Sequence, residues 1–162
     1  MVFEDKIESK FFSLNELLKR IDFWRLLGDK ITFTNGCFDI LHPGHIHLLS
    51  SCSRFGNRVI VGLNSDSSVK KLKGNSRPVN NQKSRACILA SLLFVDAVIF
   101  FDDDTPEKLI QAIRPDVLVK GGDWKKNKIA GGDFVESYGG KVRTVPYLNG
   151  FSTTEIISKA KK

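Results

Sequence analysis

The chain contains no apolar run of membrane-spanning length, so neither a transmembrane helix nor a membrane partner is expected. Its charged opening, Met1-Val2-Phe3-Glu4-Asp5-Lys6, does not read as a secretory signal peptide. Cysteine is scarce. Cys37, Cys52 and Cys87 are an odd number with no C-x-x-C spacing, which points to reduced thiols in a cytoplasmic protein. No G-x-G-x-x-G follows the first apolar run, which counts against a dinucleotide fold of the dehydrogenase kind, and the absence of G-x-x-x-x-G-K-[ST] excludes a P-loop. No metal-ligand cluster is spelled out by spacing, so no protein-held metal site is expected. The basic runs Lys70-Lys71-Leu72-Lys73 and Lys125-Lys126-Asn127-Lys128 lack the interleaved aromatics of a base-stacking surface, so no nucleic-acid partner is expected.

What is present suits one domain. A length of 162 residues can bury a real core, and 41% hydrophobic with 27% charged residues is ordinary for a globular protein. The net charge of +7 favours anionic partners, and a polyphosphate nucleotide satisfies it. Short apolar runs at Ile31–Thr34, Val59–Leu63, Ala97–Phe101, Val117–Val119 and Val142–Val145 read as strands. Helical patterns separate them at His45–Phe55, Ser65–Leu72, Gln82–Leu93 and Pro106–Ile113. Thr105-Pro106 starts the last of these and Arg114-Pro115 stops it. Ser13-Leu14-Asn15-Glu16 and Ser152-Thr153-Thr154-Glu155 read as capping boxes, the first opening a satellite helix and the second a final one. Gly131-Gly132 and Gly139-Gly140 read as turns. The alternation predicts an α/β, Rossmann-like three-layer sandwich with a five-stranded parallel sheet plus an N-terminal helix. The division expected is a helical extension over 1–28 and a catalytic domain over 29–162.

The run Gly36-Cys37-Phe38-Asp39-Ile40-Leu41-His42-Pro43-Gly44-His45 is the most informative. It joins a predicted strand to a predicted helix, where unpaired backbone N–H groups and the helix dipole favour an anion. Histidines three residues apart share one face of a first helical turn and can donate to the same phosphate. Gly44 leaves room for close approach. Cys37 reads as a small turn residue rather than a nucleophile, and His47 points elsewhere on the helix. Gly121-Gly122-Asp123 follows a strand end, the edge at which open α/β sheets bind ligands.

These residues resemble the nucleotidyltransferase superfamily that shares the H-x-G-H motif, and within it the cytidylyltransferase-like branch. The likeness is greatest to heptose 1-phosphate adenylyltransferases, which often form one half of a bifunctional protein with a sugar kinase. It is carried by the run Asn35 to His42, by Gly62-Leu63-Asn64-Ser65-Asp66, by Leu72-Lys73-Gly74 and by Arg77-Pro78-Val79. Pro115 through Asp123 and Gly150-Phe151-Ser152-Thr153-Thr154 complete it. Glycerol phosphate and choline phosphate cytidylyltransferases carry Arg-Thr where this chain has Tyr147 and Leu148, and Met-Gly-Asp-Asp-Trp where it has Lys120 to Trp124.

The resemblance implies transfer of AMP from ATP to a heptose 1-phosphate for lipopolysaccharide or another surface glycan. The alternative is a CTP-dependent cytidylyltransferase acting on glycerol 3-phosphate or a similar alcohol. A third reading, a non-catalytic RNA-binding protein on the same fold, has only the charge behind it. The resemblance implies His42, His45 and Lys73 as catalytic residues. It implies nucleotide contacts from Gly36, Cys37, Phe38, Gly44, Arg85, Gly150, Phe151, Ser152, Thr153 and Thr154. Acceptor contacts are implied for Asp39, Asp66, Lys120, Asp123 and Trp124. Asp39 reads equally as orienting the turn, Arg85 as a surface ion pair, and Trp124 as core. Magnesium is implied, bound mainly through ATP phosphates. A homodimer is implied by Phe94-Val95-Asp96-Ala97-Val98, which resembles a segment near a family subunit contact.

Overall fold

The computed structural model describes residues 3–122, 124 and 128–160. Five parallel strands form one sheet: β1 (Ile31–Gly36), β2 (Arg58–Asn64), β3 (Ala97–Phe101), β4 (Val117–Gly121) and β5 (Lys141–Val145), in the order β3-β2-β1-β4-β5. Each expected apolar run is a strand, extended by a residue or two at most at either end. The fold is α/β and Rossmann-like.

Alternation along the strands divides the core. Ile60 of β2 and Leu118 of β4 enter one cluster, whereas Val59, Val61, Val117 and Val119 enter another. Successive strand side chains point to opposite faces, so a sheet covered on both sides needs apolar residues at nearly every position. The first cluster receives α2 (Leu14–Leu26) and α6 (Glu107–Ile113). The second receives α3 (Pro43–Cys52) and α5 (Gln82–Ala90).

Helix α2 opens with the predicted capping box, Ser13 and Glu16 satisfying each other's backbone N–H groups. It is not a satellite. Leu17, Ile21 and Trp24 are buried with Ile31, Phe33 and Ile60, because one face of the sheet would otherwise be bare. Before it lies a short helix without a sequence signal, α1 (Phe3–Glu8). Between the two, Phe12 N–H donates to Val98 O at 3.2 Å and Val98 N–H to Lys10 O at 2.8 Å, covering the β3 edge.

Two further helices are α4 (Asp66–Lys73) and α8 (Thr153–Ala160). The Gly131-Gly132 turn is in fact a helix start: Gly131, at φ 78°, caps α7 (Gly132–Ser137). Val135 of that helix is fully buried, so tertiary burial outweighs the poor helix propensity of paired glycines. Helix α3 begins two residues earlier than expected, with Pro43 in its first turn, and α6 begins one later, with Pro106 as its cap. Among the described residues, no helix is long and apolar enough to cross a membrane.

The chain runs outward from β1 through β2 to β3, then crosses back to β4 on the other side of β1. Loops leaving the carboxyl ends of β1 and β4 therefore diverge, and a crevice opens between them.

Candidate active site

The loop after β1 enters that crevice. Phe38 adopts φ 43°, an uncommon conformation for a bulky residue, and is held there by burial. Its ring lies 5.1 Å from that of His45 and tilted by 59°. Asp39, 2% exposed, stabilises the turn from behind. Its carboxylate accepts from Arg77 Nε, from Val79 N–H at 2.8 Å and from Asn80 N–H at 3.0 Å. Three of its acceptor sites are thus engaged within the protein, while the residue still lines the cavity. These bonds to the 77–80 loop give Asp39 an orienting role in the turn.

His42 ends the loop in an extended conformation and caps α3 through its carbonyl, which accepts from His45 N–H at 2.9 Å. No side chain caps this helix, so its first-turn N–H groups have no side-chain acceptor. The imidazoles of His42 and His45 stack with centroids 3.8 Å apart at 23°. Both Nδ1 atoms are buried without a hydrogen-bond partner, which is costly unless something else occupies the cavity. Gly44 is required by this stack: a Cβ there would lie 3.0 Å from His42 Cε1 and Nδ1. Gly44 also lines the cavity.

Burial pulls the His45 pKa down to about 4, the neighbouring His42 adds to the effect, and the nearby Ile40 backbone partly opposes it. Burial lowers His42 as well. Both rings are thus neutral at pH 7 in the free protein. Burial raises the Cys37 thiol despite Lys73 and Arg85 nearby, which favours its protonated form.

The second wall is the start of α8. Ser152 Oγ accepts from Glu155 N–H at 3.1 Å, which is half of the predicted capping box, and Thr153 Oγ1 donates to Ile40 O at 3.4 Å. Two helix N-termini therefore converge on one cavity of about 380 Å³. Gly36, Cys37, Phe38, Gly44, His42, His45, Lys73, Lys120, Phe151, Ser152, Thr153 and Thr154 all line it. Asp39, already engaged, is the one carboxylate among the described lining residues. A second cavity of about 400 Å³ abuts the first, sharing Asn35, Gly36, Cys37, Lys73 and Lys120 with it and adding Trp124 and Lys128. Trp124 lines this cavity and is exposed, so it is not core. Lys120 Nζ donates to Asn35 Oδ1 at 3.1 Å, and burial lowers its pKa.

Three expected contacts lie elsewhere. Arg85 is 0% exposed and lines neither cavity. Its guanidinium donates to Cys37 O at 2.7 Å, Asn64 O at 2.8 Å, Asn80 O at 3.0 Å and Asp66 Oδ1 at 2.8 Å. It is not a surface ion pair; it ties the carboxyl ends of β1 and β2 to the 77–80 loop. Asp66, its partner, lines neither cavity. Gly150, at φ 82°, turns the chain into α8 without lining the cavity. Asp123 lies outside the described residues.

The residue reading did not assign Arg77, Tyr147 and Leu148, which line the first cavity. Arg77 lay within the Arg77-Pro78-Val79 block, a usable signal. For the other two the one signal was their departure from the Arg-Thr of related cytidylyltransferases, which gave them no role.

Among the described residues, no group of three or more His, Cys, Asp or Glu is placed to hold a metal ion. The cavity offers imidazoles, hydroxyls and ammonium groups, a donor set suited to phosphate oxygens rather than to a hard cation.

A parallel α/β sheet with an anion cavity at its switch point, walled by stacked H-x-G-H imidazoles and a Ser-Thr-Thr helix start, defines a class of nucleotide-handling proteins. The cytidylyltransferase-like family model matches residues 33–159, and the chain belongs to that family. It is 50% identical over 152 residues to the bifunctional protein HldE of Koribacter versatilis, covering 94% of this chain and 31% of that protein. To the bifunctional protein HldE of Campylobacter jejuni subsp. doylei it is 53% identical over 159 residues, covering 98% and 32%. The chain thus spans about a third of the length of these curated relatives. The crystal structure of the lipopolysaccharide core biosynthesis protein from Thermoplasma volcanium superposes with a TM-score of 0.58 at 26% identity, covering 75% of this chain and 98% of that one.

Proposed function

We propose that the chain is a nucleotidyltransferase that transfers AMP from ATP to a heptose 1-phosphate, giving ADP-heptose and pyrophosphate for surface glycan synthesis. The observation that carries the transfer is the stacked His42–His45 pair, with two buried, unpartnered nitrogens in a cavity that the α8 N-terminus also faces. The kinship with bifunctional HldE proteins and with a lipopolysaccharide core biosynthesis protein supports the heptose acceptor over glycerol phosphate.

In this reading the acceptor phosphate is already ionised near neutral pH and needs no general base. Its oxygen attacks the α-phosphorus of ATP, and the bond to the pyrophosphate oxygen breaks. The protein holds two polyanions in line and stabilises charge on the phosphoryl oxygens. His42, His45 and the first-turn N–H groups of α3 bind the triphosphate from one side. Ser152, Thr153 and Thr154 bind it from the other. Lys73 and Lys120, which line both cavities, stand where nucleotide and acceptor phosphates meet, with the acceptor in the Trp124 cavity. Magnesium arrives with the triphosphate as part of the substrate. A homodimer belongs to the same reading, and sedimentation of the purified protein tests it.

Pyrophosphate release measured with each nucleoside triphosphate against each acceptor tests the assignment. Turnover with ATP and heptose 1-phosphate is expected; turnover only with CTP and glycerol 3-phosphate would overturn it. Steeply salt-dependent RNA binding with no pyrophosphate from any pair would favour the non-catalytic reading.

A further inference from the structure

Tyr147 is an aromatic side chain at the cavity that the phosphate-binding groups do not explain. Strand β5 ends at Val145, and Gly122 N–H donates to Val145 O at 2.8 Å, carrying the β4–β5 pairing one step past the strands. The backbone leading to Tyr147 is therefore held in register with the end of β4. The far end of the ring is held too. At Gly122, φ is 110° and a Cβ would lie 2.5 Å from Tyr147 Cζ and 2.6 Å from its Oη. The phenol end thus rests directly on the glycine backbone, in space that only a residue without a side chain leaves open.

A ring whose phenol end is seated on Gly122 yet which is 67% exposed is a preorganised platform with an uncovered surface. The same cavity is lined by further apolar residues, Pro146 and Leu148 on either side of it in the chain and Leu48 and Phe151 besides. The cations and hydroxyls belong to other lining residues. Of the parts of a nucleoside triphosphate, only the base presents a flat, weakly hydrated face that matches this region.

We propose that Tyr147 is the stacking platform for the nucleobase and that it favours a purine by offering overlap to both fused rings. This rests on the nucleotidyltransferase reading above and deepens it by assigning the base-recognition residue. It also explains why the cavity combines polyanion donors with an exposed aromatic.

The test is calorimetric binding of ATP, CTP and inorganic triphosphate to the wild-type protein and to Tyr147→Ala and Tyr147→Phe. Tyr147→Ala should weaken ATP by about tenfold, the loss typical of removing one base–aromatic stack. It should weaken CTP less and inorganic triphosphate not at all. Tyr147→Phe should recover most of the lost ATP affinity, since the ring and not the hydroxyl does the stacking. Unchanged ATP affinity in Tyr147→Ala overturns the proposal. So does an equal loss for inorganic triphosphate, which would mean a general disturbance of the cavity. A rise in acceptor KM with ATP affinity intact would move the ring to the sugar subsite and overturn it as well. These outcomes are separate from those for the reaction, which wild-type pyrophosphate release decides alone.

Discussion

Replacing Arg85 with methionine removes four hydrogen bonds at once while keeping most of the side-chain volume. Three of the acceptors, the carbonyls of Cys37, Asn64 and Asn80, would be left facing an apolar side chain where the guanidinium now fills fully buried space. Asp66 loses its partner too, but its side chain is 34% exposed and water can replace the lost bond. The cost therefore sits mainly in the carbonyls. At about 1–3 kcal/mol for each unsatisfied buried group, less what local relaxation returns, a loss of about 3–5 kcal/mol is expected. With a urea slope of about 1–3 kcal/mol per M, the unfolding midpoint should fall by roughly 2 M. Arg85→Lys retains charge but cannot serve four diverging acceptors, so an intermediate loss is expected. Equilibrium urea unfolding beside ATP binding at low denaturant provides the check. The positioning role requires the stability loss, because Arg85 holds Cys37 and so the turn that carries the histidines. A midpoint within about 0.3 M of wild type, with ATP affinity sharply reduced, would show that the guanidinium contacts nucleotide and would refute the reasoning.

His45→Asn should lower turnover by about 10²–10³ through loss of one phosphate donor, with an unchanged circular dichroism spectrum. Unfolding of that variant at neutral pH would make His45 a core residue instead. Because the fold holds the His45 pKa near 4 against an ordinary 6.5, its neutral ring is favoured in the native state. Stability is full above pH 6.5 and falls as pH drops toward 4, by about 3 kcal/mol. Urea unfolding at both pH values should show a smaller acid loss in His45→Asn than in wild type. Lys120→Met removes a partly buried ammonium whose one described partner is the neutral Asn35, so thermal stability should not fall while the acceptor KM rises about tenfold or more. Asp39→Asn should cost about 3–5 kcal/mol in urea unfolding, because the Arg77 guanidinium loses its buried counter-charge; a loss below about 1 kcal/mol would contradict the clamp.

The sequence by itself determined the strands, the parallel sheet and the anion-binding turn. Each of these is local: apolar runs of strand length, turn residues at their ends, and a glycine and two histidines within one turn of helix. Tertiary structure decided which charged groups face the ligand. Arg85 and Asp66 stand in motif-like positions, yet they face each other and the backbone, since sequence spacing fixes a residue's place on a helix but not what packs against that face. Gly44 reads in sequence as room for substrate; the structure adds that it also leaves room for the His42 ring. Tyr147 stood out in sequence only as a departure from a family pattern; its place at the cavity follows from the β4–β5 pairing and from the missing side chain of a glycine 25 residues away in sequence.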